Sequence, residues 1–217
     1  MDKNKIFITI ASVAGLFVFM VAAYLMTSRS QQPEEAVALL QTIPAGAQTK
    51  WAKDGKHTLI KFSDYQCPAC AFAHDFVKGL DSDPDITGNI KFVYMHFPLI
   101  GIHPFANDAA FAAEAAGKQG KFFEMSDMIF ENQQTWSSGG DAKGTFRKYA
   151  EDLGLNMEQY DTDVASNEIK TKVAEDAARG AQAGVNGTPT FFLDGRRVNV
   201  RSYDAFRKLL KETAAQK

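Results

Sequence analysis

The pattern of apolar and polar residues divides the chain into an apolar N-terminal run and a mixed remainder. Residues 6–26, IFITIASVAGLFVFMVAAYLM, carry no formal charge. At about 1.5 Å per helical residue, the run is long enough to cross a bilayer core of about 30 Å. Lys3 and Lys5 precede it, which favours a cytoplasmic N-terminus and export of the residues C-terminal to the run. We predict a cytoplasmic segment at 1–5 and a transmembrane signal-anchor at 6–26. A cleaved signal peptide is the alternative.

Residues 27–50 have the pattern of a tether. The stretch TSRSQQ is polar, PEEAVALLQ at 33–41 could form a short helix, and TIPAGAQTK breaks the pattern. The ordered domain is therefore expected to cover residues 51–217, beginning near Trp51.

From Trp51 onward the periodicity alternates between that of strands and that of helices. The run HTLIKFSD at 57–64 predicts a strand, and IKFVYMHFPL at 90–99 predicts a second. Between them, apolar residues recur at steps of three and four, which indicates an amphipathic helix. These positions are Ala69, Phe72, Ala73, Phe76 and Leu80. Strand, helix and strand form a βαβ unit, so the two strands should pair in parallel.

The remainder has the pattern of a helical block followed by a hairpin and a last helix. Residues 103–133, 144–155 and 168–185 show helical spacing, with phenylalanine and methionine stripes that are interpreted as core. In PTFFLDGRRVNV, at 189–200, two short strands flank Asp194-Gly195, a strong hairpin signal. Ser202 is placed to cap the final helix. The predicted α/β order is βαβ, a helical block, then ββα.

Composition and net charge mainly exclude certain classes of protein. The chain has 217 residues, 45% hydrophobic and 23% charged, with a formal net charge of −2. This balance gives no indication of a nucleic-acid partner, and two cysteines exclude a disulfide-rich scaffold. The domain is long enough to be stabilised by a buried core.

The two cysteines lie together in Cys67-Pro68-Ala69-Cys70, at the junction of the first strand and helix. Unpaired backbone N–H groups at a helix start favour a thiolate, which is the nucleophile of disulfide exchange. Pro68 suits the first helical turn, Ala69 adds no charge, and Cys70 lies where it can resolve a mixed disulfide. We therefore predict Cys67 as nucleophile and Cys70 as resolving thiol. A zinc site using His74, or an inert disulfide, are the alternatives.

Four segments resemble the DsbA-like branch of the thioredoxin superfamily. They are FSDYQCPACAFAHDF, VYMHFPL, AAEAAGKQGKFFEMSDMIFENQ and GVNGTPTFFLDGRRV, and the resemblance covers about residues 51–215. It implies a thioredoxin-like fold with a large α-helical insertion at about 99–183, and a thiol-disulfide oxidoreductase of the bacterial envelope. It also implies a cis bond at Thr188-Pro189 facing the cysteines, with the Thr188 backbone available to an extended substrate segment.

Lys61 departs from the family pattern. Many relatives carry a buried acid six residues before the first cysteine, and this chain has a lysine there. A lysine pointing inward would favour thiolates while losing solvation, whereas one reaching solvent would be only a surface residue. The role of Lys61 therefore stays open at this point.

The resemblance leads us to expect an enzyme that introduces disulfides into exported proteins, without metal or cofactor. It would be anchored in the inner membrane, with its catalytic domain outside the cytoplasm, or be soluble in the periplasm after signal cleavage. A DsbB-like membrane oxidase would recharge it. The pKa of Cys67 should lie between about 3.5 and 7. An envelope isomerase or reductase is one alternative, and a redox-silent, chaperone-like binding protein is another.

Overall fold

The computed structural model describes residues 19–20 and 34–216. The predicted cytoplasmic segment at 1–5 lies outside these residues, and so does the predicted anchor at 6–26 apart from residues 19 and 20. In the described ranges, no helix combines the length and the apolar character needed to cross a membrane.

A mixed five-stranded sheet forms the centre of the domain at residues 34–216, with strand order β1-β3-β2-β4-β5. The strands are β1 (Gln48–Trp51), β2 (His57–Ser63), β3 (Ile90–His96), β4 (Thr190–Leu193) and β5 (Arg196–Arg197). Strands β2 and β3 pair in parallel, with Lys61 opposite Tyr94, and the other neighbouring strands are antiparallel. The parallel pair confirms the predicted βαβ unit.

Helices fill the connections between the strands. They are α1 (Glu34–Gln41), α2 (Pro68–Lys78), α3 (Pro84–Thr87), α4 (Ala106–Gly117), α5 (Phe122–Glu131), α6 (Gln133–Ser137), α7 (Ala142–Asp152), α8 (Met157–Ala165), α9 (Asn167–Gln182) and α10 (Tyr203–Ala214). The predicted order is confirmed, since α4 to α9 form a helical insertion between β3 and β4. The hairpin also forms at the predicted place, with Asp194 and Gly195 both at positive φ (51° and 77°).

Each face of the sheet carries its own core, and β2 contributes to both. Leu59, on one face, packs in the larger cluster with Cys70 and residues of the insertion. Ile60 and Phe62, on the other face, pack in a second cluster. Helix α9 approaches this second face closely because Gly180 has no side chain. A Cβ atom there would lie 2.7 Å from Phe97 Cδ2 and 2.9 Å from Phe62 Cδ1. Since side chains alternate along a strand, Lys61 falls on the same face as Leu59 and α2.

Part of the segment predicted to be a tether is folded against the domain. Leu40, on α1, is buried in the second cluster, and the side chain of Arg179 donates to the carbonyl oxygens of Leu39 and Thr42. Residues 48–51 form the edge strand β1, which pairs with β3. Within the described part of residues 27–50, α1 and β1 therefore pack with the domain, although the sequence pattern favours a tether there.

Candidate active site

The cysteine pair lies where β2 ends and α2 begins. Cys67 is the N-cap residue of α2, with extended backbone angles (φ −74°, ψ 121°) and no side-chain cap hydrogen bond. Pro68 follows at the start of the helix, where its missing N–H removes no helical hydrogen bond. The Cys70 N–H donates to the Cys67 carbonyl oxygen at 3.0 Å, which closes the first turn. The local geometry therefore points unpaired N–H groups at the Cys67 sulfur.

The two thiols are free and differ in exposure. Cys67 is 8% exposed, whereas Cys70 is fully buried. A hydrogen bond from Cys70 lowers the pKa of Cys67 to about 5; burial opposes this, and Thr188 and backbone N–H groups assist it. The value lies in the interval expected from the sequence. Burial, followed by the hydrogen bond to Cys67, raises the pKa of Cys70 far above that of a free thiol. At neutral pH one sulfur is therefore a thiolate and its partner a thiol.

The loop before β4 faces this pair across the fold. The Thr188–Pro189 peptide bond is cis, as the resemblance implies. In its protonated form the Cys67 thiol donates to the Thr188 carbonyl oxygen at a Sγ–O distance of 3.4 Å. Cys67 and Thr188, which are 121 residues apart in the sequence, thus lie against each other in the folded chain. The roles of Thr188 and Pro189 in binding substrate stay predictions.

The helical insertion holds the cysteine turn through a buried glutamine. Gln133 Nε2 on α6 donates to the carbonyl oxygens of Tyr65 and Cys67, at 2.7 and 2.9 Å. Gln66 makes a second bridge, because its side chain accepts from the Phe105 N–H at 2.8 Å. The sequence pattern did not identify Gln133, which is the last residue of the predicted helical stretch at 103–133 and begins a polar run. No local signal separates it from its exposed neighbour Gln134.

Asp64 also stabilises the turn that contains the cysteines, through hydrogen bonds of its side chain. Its fully buried carboxylate accepts from the Gln66 N–H at 2.7 Å, and from the Leu99 N–H and His103 Nδ1 at 2.8 Å each. The Asp64 N–H in turn donates to Cys70 Sγ at 3.5 Å. This residue ties the loop after β3 to the redox turn, which agrees with a packing role.

Lys61 points inward, beneath the cysteine helix. It is 1% exposed, and its Nζ donates to the Cys70 carbonyl oxygen at 3.4 Å. The ammonium group also lies 4.9 Å from the centre of the Phe130 ring and 5.7 Å from that of Tyr94. Burial lowers the pKa of Lys61 to about 8, and the charge of Cys70 is the largest opposing effect. The inward alternative is therefore the one that the structure shows.

His74 does not join the cysteines as a ligand. Its Nε2 lies 2.9 Å from an Asp127 carboxylate oxygen, and its ring stacks on Phe130 with centroids 4.7 Å apart. Elsewhere in the described part of the chain, His96, Glu114 and Asp176 place potential ligand atoms within 4.8 Å of one another. Lys172 Nζ already compensates this cluster, at 2.9 Å from Glu114 and 3.1 Å from Asp176. We interpret it as a buried charge network of the fold.

Known proteins that are similar to this chain in sequence or in fold agree with the geometry of the site. A sequence model of the thioredoxin family matches residues 52–212. The thioredoxin-like oxidoreductase of Silicibacter pomeroyi DSS-3 is 29% identical, with a TM-score of 0.63 over 79% of this chain and 93% of that one. The thiol-disulfide exchange protein α-DsbA2 of Wolbachia pipientis is 17% identical, with a TM-score of 0.70 over 86% of this chain and 100% of that one. The second likeness is evidence for the fold.

A curated relative is a longer protein. The Na(+)/H(+) antiporter NhaA 1 of Salinispora arenicola is 33% identical over 207 residues, which cover 91% of this chain and 30% of the antiporter. The chain thus spans about 30% of the length of the curated relative that it matches. The antiporter activity in that name is a property of the longer protein from Salinispora arenicola.

Proposed function

This chain belongs to the thioredoxin family, and we propose that it is a DsbA-like thiol-disulfide oxidoreductase that introduces disulfide bonds into exported proteins. The observation that carries the proposal is the contrast between the two sulfurs. Cys67 is an N-cap thiolate with a lowered pKa, and Cys70 is a buried thiol with a raised one. A stabilised thiolate favours the reduced form of the enzyme, and hence transfer of the disulfide to a substrate.

The reaction begins with the Cys67–Cys70 disulfide. A substrate thiolate attacks Cys67 Sγ, forms a mixed disulfide and displaces Cys70 as a thiolate, which takes up a proton. A second substrate thiolate attacks the substrate sulfur of the mixed disulfide and displaces Cys67, whose low pKa makes it a good leaving group. The substrate loses two electrons and the enzyme gains them as a dithiol. A membrane oxidase of the DsbB kind would reoxidise the pair.

Substrate recognition is assigned to the loop that contains the cis bond. Thr188 lies against Cys67, so an extended segment bound to its backbone would bring a substrate sulfur close to Cys67 Sγ. Such a contact uses main-chain atoms and can accept many sequences. This breadth suits an enzyme that acts on many unfolded exported chains.

The direction of electron flow is tested by trapping thiols in living cells. Acid quenching followed by maleimide alkylation reports the redox state, and a chain with two cysteines gives unambiguous mass shifts. We expect the pair to be oxidised at steady state. A pair found reduced would overturn the oxidase assignment and favour an isomerase or reductase. The Cys70→Ala variant should accumulate mixed disulfides with exported proteins, and the matched Cys67→Ala variant should accumulate none.

The location is part of the proposal. We place the catalytic domain outside the cytoplasm, attached to the inner membrane through residues 6–26. After the cysteine pair has been reduced with dithiothreitol, a maleimide that cannot cross the inner membrane should label Cys67 in spheroplasts, and alkaline carbonate should leave the protein in the membrane pellet. Release by carbonate would favour the soluble periplasmic form. Absence of labelling would contradict export.

A redox-silent binding protein is the competing class. It would protect an unfolded client equally well with Cys67 or with alanine at that position. The oxidised chain should instead convert a reduced, unfolded substrate to its disulfide form in a stoichiometric amount, and Cys67→Ala should abolish that conversion.

A further inference from the structure

We propose that Lys61 is the proton-transfer residue for Cys70. Its neutral amine accepts the Cys70 proton when Cys70 attacks a mixed disulfide at Cys67, and its ammonium returns a proton when Cys70 is displaced. This inference rests on the thiol-disulfide exchange proposed above.

The first support is position. Strand β2 directs Lys61 under the first turn of α2, where its Nζ contacts the Cys70 carbonyl oxygen. Its remaining close neighbours are the faces of the Phe130 and Tyr94 rings. In the described part of the chain, no carboxylate lies within 4.0 Å of this ammonium. A buried ammonium without a carboxylate is poorly stabilised, so Lys61 releases its proton far more easily than a surface lysine.

The second support is electrostatic coupling between the two groups. Burial lowers the pKa of Lys61 to about 8, and Cys70 exerts the largest opposing influence. Conversely, Lys61 is the charged side chain that most lowers the pKa of Cys70, against burial and the Cys67 hydrogen bond, which raise it. Further groups that act on Lys61 or share its pocket are Cys67, His74 and Asp75 from α2, Lys50 from β1, and Tyr94 from β3.

Other bases near Cys70 are already engaged or too weak. The Asp64 carboxylate already accepts three hydrogen bonds, from Gln66, Leu99 and His103. His74 is held against Asp127, and burial lowers its pKa. The Tyr94 hydroxyl is buried without a hydrogen-bond partner among the described residues, and burial raises its pKa. A neutral lysine is the strongest base that this site offers.

Protons and electrons balance in both directions of the exchange reaction. In resolution, the Cys70 proton moves to Lys61 Nζ, the resulting thiolate attacks Cys67 Sγ, the Cys67–Cys70 bond forms, and the other thiol leaves as a thiolate. In the oxidising direction, a substrate thiolate breaks the Cys67–Cys70 bond, and the Cys70 thiolate takes its proton from the Lys61 ammonium. No further reductant or oxidant is required.

Ellman's reagent separates the two steps on the reduced full-length chain. Attack by Cys67 releases the first nitrothiobenzoate, and attack by Cys70 on the Cys67 mixed disulfide releases the second. We expect Lys61→Met to keep the first phase and to slow the second about 100-fold at neutral pH, within the usual range for a general base. Lys61→Arg keeps the charge but cannot supply a neutral base, so it should show the same loss. The matched control is Lys56→Met, which removes an exposed lysine just before the same strand.

The results distinguish a failure of the proton-transfer role of Lys61 from a failure of the thiol-disulfide exchange function. A second phase that keeps its rate in Lys61→Met would overturn the proton-transfer role, and so would a Lys61→Arg variant that behaves as wild type. If neither variant folds, as judged by circular dichroism, the wild-type pH profile decides. A second-phase rate that rises and levels off around pH 8 supports the role, whereas a profile without that transition overturns it. A wild-type chain that gives no second phase would instead refute the exchange function itself.

Discussion

The lowered pKa of Cys67 predicts how pH changes the relative stability of the reduced and oxidised forms. The pKa falls from 9.0 in an unperturbed thiol to about 5 in the folded protein. The thiolate therefore stabilises the reduced fold fully above pH 9, and this contribution is lost as the pH falls through 5. Each pH unit in that window corresponds to about 1.4 kcal/mol. At pH 7 the thiolate should therefore contribute about 3 kcal/mol, equivalent to a reduction potential raised by about 60 mV.

The assay compares urea unfolding of the reduced and oxidised chain at pH 5, 6 and 7. The oxidised form has no thiol to titrate, so other groups, such as Asp127, largely cancel in the difference between the two forms. Cys70 has a raised pKa and remains a thiol throughout this window. We expect the unfolding free energy of the reduced form, relative to the oxidised form, to fall by about 1.4 kcal/mol per unit below pH 7, flattening near the pKa itself. A difference that does not change between pH 7 and 5 would refute the reasoning.

The physical cause of the low pKa can be tested with a matched pair of variants. The hydrogen bond from Cys70 is the largest influence on Cys67. Cys70→Ser retains a hydrogen-bond donor and should keep much of the shift, whereas Cys70→Ala removes the donor and should raise the pKa of Cys67. Ultraviolet absorbance of the thiolate, titrated with pH, measures both. Equal pKa values in the two variants would show that backbone groups, and not Cys70, hold the thiolate.

Three further predictions concern the framework of the site. Gln133→Ala should lower the unfolding free energy by about 1–3 kcal/mol, because two buried carbonyl groups lose their donor; Gln134→Ala, at an exposed position, should change it by less than about 0.5 kcal/mol in the same urea titration. Leu40→Ala should destabilise the fold by about 2–5 kcal/mol in thermal or urea unfolding, if α1 belongs to the core as its burial indicates. Glu114→Gln should reduce the unfolding free energy by about 1–3 kcal/mol, since it removes the buried carboxylate charge that faces His96 and Lys172 and leaves Lys172 paired with Asp176 alone, while the exposed Glu124→Gln should have little effect.

Periodicity in the sequence predicts the βαβ unit, the hairpin and the position of the cysteine pair because each depends on local rules. The strand and helix periods differ clearly across residues 57–80, and a cysteine followed by proline at that junction suits a helix start. Asp194-Gly195 similarly predicts its turn from backbone preference alone. The remaining site features depend on contacts between distant segments, which no local period encodes.

Lys61 illustrates this limit. The run LIKFS is buried on both sides of β2, so the alternation that normally separates an inner from an outer face is absent. The inward position of the lysine depends on α2, Phe130 and Tyr94, which close over it in the folded chain. For Gln133 and α1, too, the partner lies far away in the sequence. A short amphipathic segment such as 34–41 shows an apolar face without showing what covers it.

The contacts around the two cysteines give their sulfur atoms opposite electrostatic environments. Cys67 and Cys70 share a single helical turn, yet the start of the helix supplies donors to the first sulfur, while the core denies water to the second. Two thiolates so close together would repel each other, so the hydrogen bond from one thiol to the other sulfur selects a state with one charge. The buried lysine then matters most in the moments when Cys70 must carry charge, namely as it attacks or leaves. A site built in this way can hold Cys67 ready to react at neutral pH while Cys70 stays protonated until a mixed disulfide forms beside it.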